Sequence, residues 1–132
     1  MVLEGAFGVE GGYRATMAAL DRNPRPTALI AAGNTLMAGA IRALHELEVK
    51  IGTDISFVGC DNVLIAELHE PPIAVVYRDA SALGEQGAHM LLTALSTKDV
   101  VDGEEPAVIE EVVLPTEFLA RPSCGPPPPD RT

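Results

Sequence analysis

Hydrophobic positions along the chain follow two spacings, one typical of helices and one typical of buried strands. Helical spacing runs over residues 11–22, and Pro24 ends this first helix. Residues 27–32 form a short continuous apolar run, as expected of a strand buried on both faces of a parallel sheet. Asn34 then opens a second helix, with an apolar stripe over residues 36–47.

The alternation continues through the second half of the chain. The pattern predicts strands over residues 55–60 and 73–77, one or two strands at 107–109 and 112–114, and helices over 61–69 and 81–95. Asp79 and Ser81 are candidate N-caps of the last helix. Four consecutive prolines over residues 126–129 predict an extended tail outside the fold.

Strands separated by helices predict the α/β class, with right-handed crossovers and a parallel sheet flanked by helices. Ligands of such sheets bind beyond the carboxyl ends of the strands. Polar side chains follow a predicted strand at residues 33–35, 60–62 and 77–79. The sequence therefore predicts a binding site built from these three loops.

Length and charge narrow the class of protein. A chain of 132 residues forms one ordinary domain at most. The formal net charge of −10 would repel the phosphates of DNA, so these residues are not expected to bind nucleic acid themselves. Six acidic residues between Asp99 and Glu111 predict a solvated face. The two distant cysteines and the absence of a secretion signal or a long apolar span favour a reducing cytoplasm and no membrane.

The residue patterns of common catalytic and cofactor sites are missing. The sequence has no phosphate-binding glycine loop and no nucleophile elbow, and its three histidines lack metal-ligand spacing. Cys60 ends a predicted strand, where a nucleophile could be reached, but a small buried thiol is the favoured interpretation. We expect no catalytic residue, no metal and no cofactor.

Several linked segments resemble the lactose-repressor/galactose-repressor family of bacterial transcription regulators. They are GAF (5–7), EGGYRA (10–15), RPTALIAAGN (25–34), LMAGA (36–40), DISFVGCDN (54–62) and PPI (71–73). The resemblance covers about residues 5–123, in matching order and spacing. It implies a partial periplasmic-binding-protein-like (type I) fold, limited to the C-terminal part of the family's effector-binding core.

The resemblance also implies a domain organisation and partners. Residues 1–77 would be a segment of the second lobe, 78–118 crossover strands with a helix of the first lobe, and 119–132 a C-terminal segment with the proline-rich tail. The family binds a small-molecule effector and pairs as a homodimer through the second lobe. Exposed positions of the predicted helices at 36–48 and 63–69 would be dimer contacts, with core packing as the alternative. Operator DNA would be bound only by a headpiece that lies outside this chain.

Four positions match the family's effector contacts. Phe7 would stack on the effector or wall it in, or be an ordinary core aromatic. Asn34 would exchange hydrogen bonds with the effector, and Asp61 would bind hydroxyl or amine groups; each could instead cap a helix. Arg78 would be the polar residue of a hinge strand, or form an ion pair. Thr35 and Cys60 depart from the usual Asp and aromatic residue, which leaves specificity for a sugar open.

These expectations combine into one hypothesis with two rivals. The chain would be the effector-binding and dimerisation part of a cytoplasmic transcription regulator, in which effector binding shifts the lobes and so the DNA headpieces. It would not be an enzyme. The first rival is a solute-binding protein of a transport system, which shares the fold and the cleft. The second is a small α/β enzyme, for which the sequence offers no nucleophile or acid–base pair.

Overall fold

The computed structural model describes residues 1–3, 6–96 and 111–127. The elements are α1 (Val9–Leu20), β1 (Ala28–Ala31), α2 (Asn34–Glu46), β2 (Ser56–Cys60), α3 (Leu64–Leu68), β3 (Ala74–Arg78), α4 (Ala80–Ser96) and β4 (Thr116–Leu119). The chain divides into two compact units. The first unit comprises the residues up to Tyr77 together with those from Glu117 onward, and the second comprises Arg78–Thr116.

The four strands form one sheet in the order β1-β2-β3-β4. β1, β2 and β3 run parallel, with Ala31 opposite Gly59 and Cys60 opposite Val76. The α/β class and the parallel sheet predicted from the sequence are confirmed. Because these three strands point the same way, their carboxyl ends lie at one edge of the sheet.

β1 departs from its prediction, because it is not buried on both faces. The Ile30 side chain is 73% exposed, whereas Ala31 is buried and Leu29 packs against the core. Neighbouring residues of a strand point to opposite faces, so one face of β1 is covered and the other is open. β1 is also an edge strand, with β2 as its neighbour in the described sheet.

The core lies between the sheet and the α1–α2 pair. Its largest fully buried side chains are Phe57, Met37, Leu44, Ile55, Ile73, Val75 and Ser123. α1 and α2 cross closely because glycines stand at the crossing. A Cβ atom on Gly39 would overlap the carbonyl oxygen of Val9, and one on Gly12 would overlap that of Leu36.

The segment after β2 also departs from its prediction. The expected helix over 61–69 begins only at Leu64, with Val63 as its N-cap. Asp61 has φ 68°, in the left-handed region, and therefore cannot belong to a right-handed helix. Asp is one of the few residues other than glycine that tolerate this conformation.

The C-terminal segment is tied into the first unit through Ser123. The Oγ of Ser123 donates to the carbonyl oxygen of Phe57 at 2.6 Å and accepts from the backbone N–H of Ala74 at 2.7 Å. The backbone N–H of Phe57 also donates to the carbonyl oxygen of Ser123 at 2.9 Å. Residues after β4 therefore bridge β2 and β3.

The remaining predictions for the second half of the chain have mixed outcomes. Residues 112–114, predicted as a strand, have no regular structure, and β4 begins at Thr116. The predicted strand at 107–109 and the acidic run lie outside the described residues, apart from Glu111. In the second unit, Asp79 caps α4 as predicted, since its Oδ1 accepts from the backbone N–H of Ala82 at 3.0 Å. No residue of α4 is buried.

A polar network links the exposed sides of α1 and α2. Glu10 accepts from Arg42 Nη2 at 2.9 Å and from Arg14 Nε at 3.1 Å. Arg42 also lies over the Tyr13 ring, 4.2 Å from its centroid, and the Tyr13 hydroxyl donates to Glu46 at 3.0 Å. The hydrogen bond from Arg42, followed by that from Arg14, holds the pKa of Glu10 below its ordinary value.

We expect the Glu10 network to make stability fall in acid. A carboxyl group whose folded pKa is lowered stabilises the fold above its unfolded pKa, and this contribution is lost as the pH falls through the folded pKa. Urea unfolding of Glu10→Gln should therefore show a shallower loss of stability between about pH 5 and pH 3 than the wild-type chain. Glu85→Gln, at an exposed carboxylate outside the network, is the control. Equal pH dependence of wild type and Glu10→Gln would contradict the expectation.

Candidate functional site

The carboxyl edge of the parallel strands brings two of the predicted loops together. Ala31 near the end of β1 stands beside Gly59 near the end of β2. Adjacent strands lie about 4.8 Å apart, so the chain leaves both strands side by side. Asn34 follows the first strand by three residues and Asp61 follows the second directly.

Phe7 lies at the loop that follows β1. Its Cε1 atom is 3.9 Å from the point where a Cβ atom on Gly33 would stand. The Phe7 side chain is 85% exposed, so the alternative of an ordinary core aromatic is wrong. An apolar ring presented to solvent beside a polar loop is suited to stack on a flat ligand.

Asn34 is exposed at the first turn of α2. The N-cap of this helix is Gly33, in an extended conformation, and no side chain makes a capping hydrogen bond. The capping alternative for Asn34 is therefore wrong. Its amide group, which can both donate and accept, is placed at the carboxyl edge of the sheet.

Asp61 is half-buried, and its backbone is held on both sides. Its N–H donates to the carbonyl oxygen of Val76 at 2.9 Å, and its own carbonyl oxygen accepts from Val63 N–H at 3.1 Å. Since Val63 is the N-cap of α3, the capping alternative for Asp61 is also wrong. A left-handed conformation costs a residue with a Cβ atom about 1–2 kcal/mol, and such residues cluster at functional sites.

A half-buried to exposed polar cluster that the sequence did not predict adjoins Asp61. Arg121 Nη2 donates to Asn62 Oδ1 at 2.6 Å, and Arg121 Nη1 donates to the carbonyl oxygen of Ile73 at 3.0 Å. Asn62 Nδ2 donates to Glu67 Oε1 at 2.6 Å, and Glu67 lies 3.9 Å from Arg121 Nη2. Arg121 and Asn62 are 59 positions apart, and no spacing rule joins positions so distant in sequence.

The remaining candidates stand as follows. Arg78 is the last residue of β3 and the first of the second unit, where it is exposed. Its role stays a prediction. The thiol of Cys60 is free and half-buried.

Within residues 1–3, 6–96 and 111–127, no three His, Cys, Asp or Glu side chains are grouped to hold a metal. Helices in this part of the chain are too short or too polar to cross a membrane.

A groove of about 780 Å³ lies elsewhere, at the opposite edge of the sheet. Its lining includes Leu44, Ile51 and Pro71, together with His45 and His69. Ile51 precedes β2 and Pro71 precedes β3, so the groove lies near the amino ends of these strands. The groove is wide open and separate from the Phe7, Asn34 and Asp61 positions. It does not bear on the site that the loops form.

The parallel sheet with its flanking helices defines a class, the α/β domains of the periplasmic-binding-protein-like type. Residues 2–124 match the periplasmic binding protein-like domain. The chain belongs to this domain family, in the form carried by the LacI/GalR-type transcription regulators.

Two sequence relatives illustrate the membership. The transcriptional repressor PurR of Escherichia coli O1:K1 / APEC is 34% identical over 109 residues, which are 83% of this chain and 31% of that protein. PurR of Klebsiella pneumoniae strain 342 is 35% identical over 97 residues, 74% of this chain and 28% of its own length. The chain thus spans about a third of the length of the curated relatives it matches.

Solved structures that are similar to this chain also come from the LacI family. A LacI-family regulator from Enterococcus faecium with bound ribose superposes with a TM-score of 0.76 at 28% identity, over 96% of this chain and 44% of its own. The Lac repressor dimer bound to operator and the anti-inducer ONPF gives a TM-score of 0.71 at 29% identity, over 93% and 40%. Both likenesses span nearly all of this chain and less than half of the larger protein.

Proposed function

We propose that the chain is the effector-binding and dimerisation part of a LacI-type transcription regulator. The observation that carries the proposal is the carboxyl edge of the sheet, where Phe7, Asn34 and Asp61 are presented by loops of a domain from this family. The chain binds a small molecule there and controls DNA binding by a helix-turn-helix headpiece outside these residues. It catalyses no reaction and works in the cytoplasm.

The chemistry of the edge fits a small polar metabolite with a flat or ring-shaped body. Phe7 offers an apolar face, Asn34 a donor and an acceptor, and Asp61 a carboxylate that accepts from hydroxyl or amine groups. Arg78 adds a polar contact from the hinge strand. Sugars and nucleosides or purines carry these groups, and ribose is the ligand seen in the Enterococcus faecium regulator.

The dimer surface in this proposal is formed by α3 and the exposed side of α2. Leu64 and Leu68 of α3 are 68% and 74% exposed, while Ala66 between them is fully buried. Core packing therefore does not account for the two leucines. An apolar helix face open to solvent favours contact with another protein surface. The Lac repressor, which this chain resembles, forms dimers.

In this proposal, effector binding to the second lobe affects DNA binding through the first lobe. Residues 78–118 contribute crossover strands and a helix to that lobe in this proposal, and the second unit, Arg78–Thr116, lies within this range. The net charge of −10 agrees with DNA contacts made by another part of the protein. The relatives named above are transcription regulators, so the alternative of a transporter's solute-binding protein is not favoured.

Replacement of Asp61 tests the site. In the full-length regulator, Asp61→Ala should weaken effector binding by about 1–3 kcal/mol, the cost of leaving a buried polar group of the ligand unpaired. Titration calorimetry with a panel of D-ribose, D-galactose, adenine and guanine identifies the effector and measures the loss. Asp21→Ala, at an exposed carboxylate that ends α1, is the matched control. Unchanged affinity in Asp61→Ala would remove Asp61 from the site.

A further inference from the structure

We propose that Arg121 is a positioning residue for the effector site, which holds Asp61 in its left-handed conformation through Asn62. The inference rests on the proposed function, because Asp61 is the residue that would contact the effector. Arg121 itself lies after β4, within the C-terminal segment that Ser123 anchors to β2 and β3.

The guanidinium group of Arg121 is held by a backbone hydrogen bond in addition to its bond to Asn62. Its side chain is only 19% exposed, and Nη1 donates to the carbonyl oxygen of Ile73, just before β3. The planar fork then directs Nη2 at Asn62 Oδ1, at 2.6 Å. A charged donor at this distance makes one of the stronger hydrogen bonds found in proteins. The Arg121 contact therefore fixes Asn62 relative to β3.

Asn62 is also held from its other end. Its Nδ2 donates to Glu67 Oε1 at 2.6 Å, so the amide oxygen and amide nitrogen are both engaged. Glu67 belongs to α3 and lies 3.9 Å from Arg121, which adds an opposite charge to the cluster. The side chain of Asn62 can rotate only if these hydrogen bonds are lost.

The hydrogen bonds that hold Asn62, together with the one that holds the Asp61 N–H, form what we call the clamp on Asp61. The N–H of Asp61 is bound to the Val76 carbonyl oxygen on β3, and the residue that follows it is bound to Arg121, which is also anchored beside β3. Both ends of Asp61 are thus tied to β3 or to Ile73, the residue just before it. A left-handed residue with a Cβ atom persists only where its surroundings over-determine it, and these contacts meet that condition. This backbone sets the position from which the Asp61 side chain projects.

The first test needs no effector and uses the 132-residue chain. NMR resonances of Asp61 report its backbone conformation in wild type, Arg121→Lys and Asn62→Ala. We expect both variants to lose the left-handed signature at Asp61 while the resonances of α1 and α2 stay in place. Lysine keeps the charge but lacks the fork, so it should not rescue the conformation. Arg14→Ala, which removes an exposed arginine that pairs with Glu10, should leave Asp61 unchanged.

The second test measures affinity in the full-length regulator with the sugar and purine panel. Arg121→Lys should raise Kd about 10-fold. A double variant with Asp61→Asn should bind no more weakly than Asp61→Asn alone, because Arg121 acts through Asp61. Additive losses in the double variant would overturn the positioning role.

The two tests separate failure of the inference from failure of the function. If the wild-type regulator binds none of the panel while the NMR change occurs, the proposed effector class fails and the clamp stands. If Asp61 keeps its left-handed conformation in both Arg121→Lys and Asn62→Ala, the clamp is overturned whatever the regulator binds.

Discussion

Gly39→Ala should lower the free energy of unfolding by about 3 kcal/mol, at the upper end of the range for overpacked cores. A Cβ atom at this position would overlap the carbonyl oxygen of Val9 and lie 2.7 Å from the backbone nitrogen of Tyr13. Both atoms belong to the backbone of α1. A side chain could rotate away, but a helix backbone can yield only if all of α1 moves. The α1–α2 packing would therefore be lost or displaced.

Two alanine substitutions at other glycines make this prediction specific. Gly84 lies in α4, and among the described residues no atom outside its own stretch of helix lies within 4 Å of a Cβ position, so Gly84→Ala should stabilise that helix by up to about 1 kcal/mol. At Gly59 the new atom would meet the Met37 sulfur at 2.6 Å, the far end of a flexible side chain, and the cost should be smaller than at Gly39. Urea unfolding monitored by circular dichroism ranks the three variants. A Gly39→Ala variant as stable as wild type would show that α1 and α2 do not cross through this glycine.

Ser123→Ala should also cost about 3 kcal/mol, because two buried backbone groups would lose their partner. The hydroxyl of Ser123 is the partner of both the Phe57 carbonyl oxygen and the Ala74 N–H, and the residue is fully buried. Alanine differs from serine only by the loss of the hydroxyl oxygen, which leaves a very small void, and its side chain offers neither a donor nor an acceptor. The expected loss therefore comes from unpaired polar groups, in contrast to a cavity.

Ser96→Ala is the matched control for the serine substitution. The Ser96 hydroxyl is exposed and donates to the Leu92 carbonyl oxygen within its own helix. Its loss should change the unfolding free energy by no more than about 0.5 kcal/mol. If Ser123→Ala and Ser96→Ala had equal effects in urea unfolding, the C-terminal segment would not bridge β2 and β3 in solution.

The sequence was sufficient to predict the parallel strands. The predicted runs at 27–32, 55–60 and 73–77 differ from β1, β2 and β3 by one residue at most at either end. Continuous apolar runs bounded by proline, glycine or polar residues define such strands locally. Long-range effects were not predictable: the open face at Ile30 depends on what covers the sheet, and the Ser123 hydrogen bonds join segments 49 and 66 positions apart.

For the candidate site, positions could be predicted from the sequence, but roles could not. The rule for parallel sheets selected the loops at Asn34 and Asp61, and the structure places both at the carboxyl edge. Asn and Asp also favour helix N-caps, so sequence alone could not separate capping from binding. Capping is excluded because Gly33 is the N-cap of α2 and Asn34 is its first helical residue, and because α3 begins only at Leu64, three residues after the left-handed Asp61. The effector contacts of Phe7, Asn34, Asp61 and Arg78 remain predictions.

The tie between the C-terminal segment and Ser56 has a practical consequence for gene design. The Gly125 N–H and carbonyl oxygen both bond the Ser56 hydroxyl at 3.1 Å, four residues beyond Arg121. A stop codon placed shortly after β4 would delete Arg121, Ser123 and Gly125. The amide oxygen of Asn62 would then lose its hydrogen bond from Arg121. Expression boundaries should accordingly be drawn downstream of Gly125, even where the aim is the shortest recombinant fragment.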